Sequence, residues 1–264
     1  MTLRIGSVPY LNVKPLVDWF HTPECEADVE IVYAVPSKLA QMLREGELDV
    51  ANCSIFEAFQ TPNLVLIPNI SISAYGAVKS VRLFCQTPIE QIRTVALDTS
   101  SLTSVALTKI LLAEQFGLAP AYHHAAPDLY AMLEQYDAAL LIGDLKLFDL
   151  HPGTTVYDLG KGWHDLTSLP FVYAAWLARA DRATSEMTQI LTAAKAWGVA
   201  RLDALAHKWA DRMNLPLARC QDYLLHVMNY DLTPEQQTGL QLYQQKCLTH
   251  HLIPTLYPIQ IRQD

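Results

Sequence analysis

Val95-Ala96-Leu97-Asp98-Thr99-Ser100-Ser101-Leu102-Thr103-Ser104-Val105 is the stretch from which the architecture of this chain is read. Val95 to Leu97 read as a buried strand, because a short continuous apolar run is what a strand covered on both faces requires. From Val105 the spacing turns helical through Leu107, Ile110, Leu111 and Glu114, and Gly117 closes a helix predicted over Leu102–Phe116. Between strand and helix lie five hydroxyl side chains (Thr99, Ser100, Ser101, Thr103 and Ser104) and the carboxylate of Asp98. The first turn of a helix carries unpaired backbone N–H groups and a partial positive charge. Hydroxyls beside it add rotatable donors, a combination suited to a carboxylate or phosphate. Capping the helix is the alternative role, but one cap needs one hydroxyl.

The same strand–helix grammar extends in both directions. Upstream, Arg4–Val8 reads as a strand, and Tyr10-Leu11-Asn12-Val13-Lys14-Pro15-Leu16 as a turn entering a helix with Pro15 in its first turn. Val29–Ala34 is a strand, Ser37 caps a helix ended by Gly46, and Asp49–Ser54 is a strand followed by a short helix from Ile55 to Phe59. Val65–Pro68 is apolar, and Gly76–Phe84 reads as one long strand. Downstream come a helix over Pro127–Gln135, a buried strand from Asp137 to Gly143, and a strand over Pro170–Leu177. From about Thr184 only helices follow, the last starting at the capping box Thr233-Pro234-Glu235-Gln236.

Alternation of this kind predicts an α/β protein with mostly parallel sheets covered on both faces. Two series of similar length predict two lobes. Residues 1–84 form the first part of lobe 1, 85–172 form lobe 2, and 173–264 supply the return strand and C-terminal helices packed on lobe 1. Gly76–Phe84 and Pro170–Leu177 are the expected crossings. A ligand would sit between the lobes at the carboxyl ends of the strands.

The bulk composition narrows the classes of function. In 264 residues, 51% hydrophobic and 17% charged content supports a sizeable core and excludes extensive disorder. The net charge of −8 and the lack of Lys/Arg runs argue against a nucleic-acid partner. Five dispersed cysteines without a Cys-x-x-Cys pair fit reduced thiols, and no apolar run reaches the roughly 18 residues of a membrane span. No basic segment followed by an apolar one opens the chain, so the expected location is cytoplasmic, with no membrane partner.

Polar clusters follow the strands at Tyr10–Asn12, Ser54–Glu57, Ser80, Ser101–Ser104 and Gly143-Asp144. Each has a structural alternative. Asn12 holds its own turn, Ser54-x-x-Glu57 forms a capping box, Ser80 is a small strand residue, and Asp144 caps the next helix. No Gly-x-Ser-x-Gly, His-Glu-x-x-His, phosphate-loop or dinucleotide motif occurs. The adjacent pairs His123-His124 and His250-His251 make no metal site by themselves, since neighbours on a strand face opposite ways. Residue chemistry alone thus leads to a hydroxyl- and amide-lined cleft for a small anion, and leaves binding protein and enzyme both open.

These same residues resemble the chorismate dehydratases of the futalosine route to menaquinone. Arg4-Ile5-Gly6, Tyr10-Leu11-Asn12 and Pro15-Leu16 match that family's opening. Gly76–Val81, Ser101–Val105, Asp137–Asp144, Asp158-Leu159-Gly160, Trp163 and Leu169-Pro170-Phe171-Val172 follow in its order. Thr167-Ser168-Leu169 departs from the Thr-Gly-Leu of many relatives. The resemblance implies a type II periplasmic-binding-protein-like fold acting as an enzyme, with the C-terminal helices on the first lobe. It implies conversion of chorismate, a small dicarboxylate, to 3-[(1-carboxyvinyl)oxy]benzoate and water, with no cofactor and no metal. By motif position, Asn12 and Ser80 are the implied catalytic residues. Tyr10, Ser54, Ser101, Thr103, Ser104, Gly143 and Asp144 are the implied substrate-binding set. Since no His or Lys stands among these implied site residues, the expected base is the substrate's own enolpyruvyl carboxylate, with Glu57 and Asp144 as alternatives. Two other readings remain: a solute-binding or ligand-sensing protein for a small carboxylate, and the sister enzyme that forms dihydroxynaphthoate. The sister family carries a His near Gly143-Asp144, and this chain has none there.

Overall fold

The protein is seen here as a computed structural model that describes residues 2–143 and 153–262. Strand β1 (Leu3–Ser7) leads through a 3-10 turn at Leu11–Val13 into the short α1 (Lys14–Val17). Then come β2 (Val29–Tyr33), α2 (Pro36–Glu45), β3 (Val50–Ser54), α3 (Glu57–Gln60) and β4 (Leu64–Ala74). A second series holds β5 (Val81–Cys85), β6 (Thr94–Asp98), α4 (Thr103–Phe116), β7 (Ala121–Ala125), α5 (Leu129–Leu133), β8 (Ala138–Ile142), β9 (Thr155–Asp158) and α6 (Leu159–Thr167). Strand β10 (Phe171–Arg179) precedes α7 (Ser185–Val199), α8 (Leu202–Met213), α9 (Leu217–Asp222), β11 (Met228–Asn229) and α10 (Pro234–Thr249).

Among the described residues two sheets form, ordered β11-β4-β10-β3-β1-β2 and β7-β6-β8-β5-β9. Within each, the strands that alternate with helices run parallel: β2, β1 and β3 in one, β7, β6 and β8 in the other. Strand β10 runs antiparallel between β3 and β4, and β5 antiparallel between β8 and β9. These antiparallel strands are the ones that come after the chain has changed sheet.

The long strand expected over Gly76–Phe84 is not formed. Its first half is a turn in which Gly76 and Lys79 take φ of 85° and 64°. The Asp158 carboxylate accepts hydrogen bonds from Val78 N–H (3.0 Å) and Lys79 N–H (2.7 Å). A carboxylate gathering successive amides, with left-handed backbone at Lys79, takes those groups out of any ladder. Strand β4 in turn runs well past the expected Pro68, because Asn69 absorbs the irregularity at φ 62°.

Helix α4 ends where its sequence predicts, closed by Gly117 at φ 66°, and starts one residue later than predicted, at Thr103. Thr233 and Gln236 cap α10 reciprocally. Two expected caps are corrected. Ser37 does not cap its own helix, which starts from extended Val35; its hydroxyl donates to Thr99 O (3.3 Å) and its N–H to Ser100 O (3.4 Å). Ser54 makes no capping box with Glu57, since both side chains are taken by tertiary partners described below. Ser168 closes α6 at φ 58°, in the region that favours a residue without Cβ.

The C-terminal helices pack on the first sheet's side, as expected. Helix α7 lies so close on α1 that a Cβ at Gly198 would stand 1.8 Å from Pro15 O. Helix α10 packs on β10 and reaches the second series as well: Tyr243 OH donates to Thr103 O (2.9 Å), and Lys246 and His250 both meet the Glu114 carboxylate (2.5 and 2.8 Å). Phe171, Trp163 and Tyr243 interlock edge to face, with ring centroids 4.8–6.0 Å apart, and join β10, α6 and α10.

Candidate active site

A cavity of about 70 Å³ lies between the two sheets, at the carboxyl ends of β1, β3 and β8 and the start of α4. That is several times the roughly 10–15 Å³ one water needs. Tyr10, Asn12, Ser54, Ser80, Ser101, Thr103, Ser104 and Gly143 all line it. Asp144 lies outside the described residues.

The hydroxyl-rich start of α4 divides its labour. Ser100 N–H and Oγ both donate to Asp98 Oδ1 (2.8 and 2.5 Å), while Asp98 Oδ2 receives Ile142 N–H (3.3 Å) and so ties the end of β6 to that of β8. Ser101 Oγ accepts Ser104 N–H (3.1 Å), the ordinary work of a cap. Thr103 Oγ1 lies 2.6 Å from Ser54 Oγ and donates to Tyr173 O (3.1 Å); Ser54 Oγ also accepts Thr103 N–H (3.1 Å). Thr103 therefore spends its hydroxyl joining α4 to β3 and β10. Ser104 is 3% exposed and lines the cavity, and no hydrogen bond engages its hydroxyl among the described residues. The donor that the sequence pattern promises is thus mainly Ser104.

Several buried polar atoms around the cavity lack partners. Asn52, central on β3 and 1% exposed, has neither amide atom satisfied among the described residues. Asn12 Oδ1 and the Tyr173 hydroxyl are likewise buried and unmet. An unmet buried polar group costs about 1–3 kcal/mol, so a cluster of them on one cavity marks a place built for polar ligand atoms. Sequence reading missed Asn52 and Tyr173, which sit inside apolar strand patterns. The available signal was Asn52 itself, an amide in mid-strand, two residues before Ser54 and hence on the same strand face.

Ser80 Oγ lies 2.7 Å from the Tyr223 hydroxyl, and the Asn12 side chain hydrogen-bonds the same phenol. Tyr223 opens a π-helical stretch, Tyr223–Val227, that continues α9. Burial, against the hydrogen bonds from Ser80 and Asn12, holds its phenol above the ordinary value. Ser80 O accepts Gly143 N–H (2.9 Å). Gly143 itself has φ 77°, and a Cβ there would meet the Tyr10 ring at 2.8–2.9 Å. Only glycine lets Tyr10, from the β1 side, lie against the end of β8 and roof the cavity.

Among the described lining residues there is no carboxylate, histidine or lysine. Cys53 is buried, and burial pushes its thiol far above the ordinary value, so it stays protonated. Glu57 does not line the cavity; it is fully buried, ion-paired with Arg44 (2.5 Å), and accepts the Thr61 hydroxyl (2.7 Å). That geometry removes Glu57 both as a cap partner of Ser54 and as a base within reach of the cavity. Among the described residues no cluster of His, Cys, Asp and Glu could hold a metal ion. No described helix is long and apolar enough to cross a membrane.

Solved structures place this architecture among periplasmic-binding-protein-like folds. The chain superposes on a protein of Archaeoglobus fulgidus with a TM-score of 0.78 at 17% identity, covering 96% of this chain and 98% of that one. It superposes on the periplasmic aliphatic sulphonate-binding protein of Escherichia coli with a TM-score of 0.69 at 19% identity, covering 99% and 92%. Sequence relatives are more specific. A chorismate dehydratase of Thermus thermophilus is 32% identical over 273 residues, covering 96% of this chain and 98% of the relative. One of Campylobacter jejuni is 26% identical over 248 residues, covering 92% and 96%. The family described as menaquinone biosynthesis matches residues 3–248, which takes in every element that lines the cavity. This chain belongs to the menaquinone biosynthesis family, as a relative of the chorismate dehydratases.

Proposed function

We propose that the protein is a hydro-lyase that dehydrates chorismate to 3-[(1-carboxyvinyl)oxy]benzoate in the futalosine route to menaquinone, and that it works in the cytoplasm on this small dicarboxylate without a cofactor. The observation that carries the chemistry is an uncharged cavity rich in hydroxyls and amides, with no general base among its described lining residues. Such a cavity suits a reaction in which the substrate supplies its own base. The enolpyruvyl carboxylate takes the C3 proton, and the C–H electrons pass into the ring, conjugated with the ring carboxylate. The C4–O bond then breaks, and the departing oxygen takes the same proton back to leave as water. Aromaticity drives the step, so the protein's share is positioning and desolvation. Ser104 at the start of α4 meets a substrate carboxylate, Asn52 meets polar ring substituents, and Asn12 and Ser80 face the reacting edge. Tyr10 over Gly143 excludes water.

Purified protein incubated with chorismate, without added metal or nucleotide, should lose the chorismate absorbance and form the 3-substituted benzoate, separable by chromatography. Stoichiometric binding without product would instead make the protein a carboxylate sensor on the same fold. A complex with any protein carboxylate within about 3 Å of C3 would refute the substrate-derived base.

A further inference from the structure

The C-terminal helices place behind the cavity wall a residue that no motif of the first two-thirds of the chain contains. Tyr223 is 2% exposed and lies behind the cavity wall, not on it. It belongs to the π-helical turn Tyr223–Val227, and such turns re-aim side chains and concentrate at functional sites. Its hydroxyl is 2.7 Å from Ser80 Oγ and is also hydrogen-bonded by Asn12. These two residues sit on the cavity wall from different parts of the chain: Asn12 follows β1, and Ser80 precedes β5.

We propose that Tyr223 is a positioning residue that fixes the polarity of an Asn12–Tyr223–Ser80 hydrogen-bond chain, so that Ser80 offers its proton and Asn12 its carbonyl oxygen to one hydroxyl of the substrate. This rests on the dehydratase reading and specifies how the leaving group is held. The Asn12 Nδ2 side serves the phenol oxygen, because Oδ1 is the buried atom left unmet at the cavity. With its oxygen occupied, the phenol directs its own proton at Ser80 Oγ. Ser80 has then accepted a hydrogen bond and keeps its proton for the cavity. An acceptor at Asn12 Oδ1 and a donor at Ser80 Oγ match an alcohol, which both gives and receives. In the elimination the group so held is the C4 hydroxyl: Ser80 donates to the oxygen as the C4–O bond lengthens, while Asn12 holds the hydroxyl hydrogen. No proton is transferred from Ser80 or Tyr223, and the water formed takes its second proton from the substrate.

The test is a double-mutant cycle on chorismate turnover with Tyr223→Phe, Ser80→Ala and the pair, with Tyr230→Phe as control. Tyr230 is a neighbouring buried tyrosine whose hydroxyl has no partner among the described residues and which does not line the cavity. Tyr223→Phe should lower kcat about tenfold, the worth of one misdirected hydrogen bond, with KM nearly unchanged. In the Ser80→Ala background the same substitution should have almost no further effect. Tyr230→Phe should turn over at the wild-type rate. Full activity of Tyr223→Phe, or a loss that multiplies independently with that of Ser80→Ala, would overturn the inference while leaving the dehydratase reading intact. A folded wild type that is inert toward chorismate would overturn both.

Discussion

Thr103 and Ser104 are neighbours in one hydroxyl-rich motif, yet the structure assigns them opposite duties, and separate substitutions expose the difference. Thr103→Val keeps the shape and removes only the hydroxyl. It forfeits the 2.6 Å bond with Ser54, the 3.1 Å bond to Tyr173 O and the long 3.5 Å bond from Phe56 N–H. Tyr173 O keeps Ile55 N–H at 3.2 Å, and Ser54 Oγ keeps Thr103 N–H at 3.1 Å. The loss is therefore two ordinary hydrogen bonds and one long, weak one, about 1–3 kcal/mol together. At roughly 2–4 °C per kcal/mol for a chain of this size, melting should fall by several degrees. Ser104→Ala costs the fold little, because its hydroxyl bonds nothing among the described residues, but it deletes a donor to a charged ligand group worth about 1.5–3 kcal/mol. KM for chorismate should rise roughly 10- to 150-fold. Circular-dichroism melts and steady-state kinetics on both variants decide the matter. If Thr103→Val melts like wild type and raises KM as much as Ser104→Ala, the Thr103 hydroxyl faces the ligand and the division of labour is wrong.

Asn52→Leu should raise the melting temperature, since it removes two unmet buried polar atoms, while weakening chorismate binding at least about tenfold; unchanged affinity by calorimetry would strip Asn52 of a ligand role. Gly143→Ala forces a Cβ into the Tyr10 ring at φ 77° and should reduce kcat/KM sharply, with about 1–2 kcal/mol of backbone strain in denaturant melts; a wild-type rate would show that Tyr10 does not roof the cavity. Ser168→Gly relieves left-handed backbone at the end of α6 and should stabilise the fold by up to about 1 kcal/mol, read as a higher urea midpoint. Burial tends to raise the Glu114 pKa, but hydrogen bonds from Lys246 and His250 prevail and hold it below its ordinary 4.5. A carboxylate depressed in the folded state stabilises above its unfolded value and ceases to as pH falls through the folded one. The α10–α4 clamp should therefore weaken below about pH 4.5, and Glu114→Gln should flatten that acid limb of the urea-stability profile.

Much of this molecule follows from local sequence. The Val95–Phe116 unit, the αL glycine at 117 and the capping box of α10 depend on contacts within a few residues, so their patterns report them directly. So does the alternation that makes two sheets with parallel cores. The cavity-lining positions were legible as polar clusters after strands, because carboxyl ends of strands are where such folds open a cleft. What failed were readings that assumed a local partner for a side chain with a distant one. Ser54 and Glu57 spell a capping box, but Thr103 and Arg44 bind them more closely than each other. Gly76–Ser80 reads as strand until Asp158, about eighty residues on, draws its amides into a turn. Asn52 looks like a polar interruption until folding leaves its amide unmatched on the cavity, and Tyr223 like one more helical aromatic until it meets Ser80 across 143 residues of sequence. Backbone propensity and capping are short-range and can be read along the chain. Which polar groups are satisfied, and which are left for a ligand, depends on partners that only tertiary packing brings within about 3 Å.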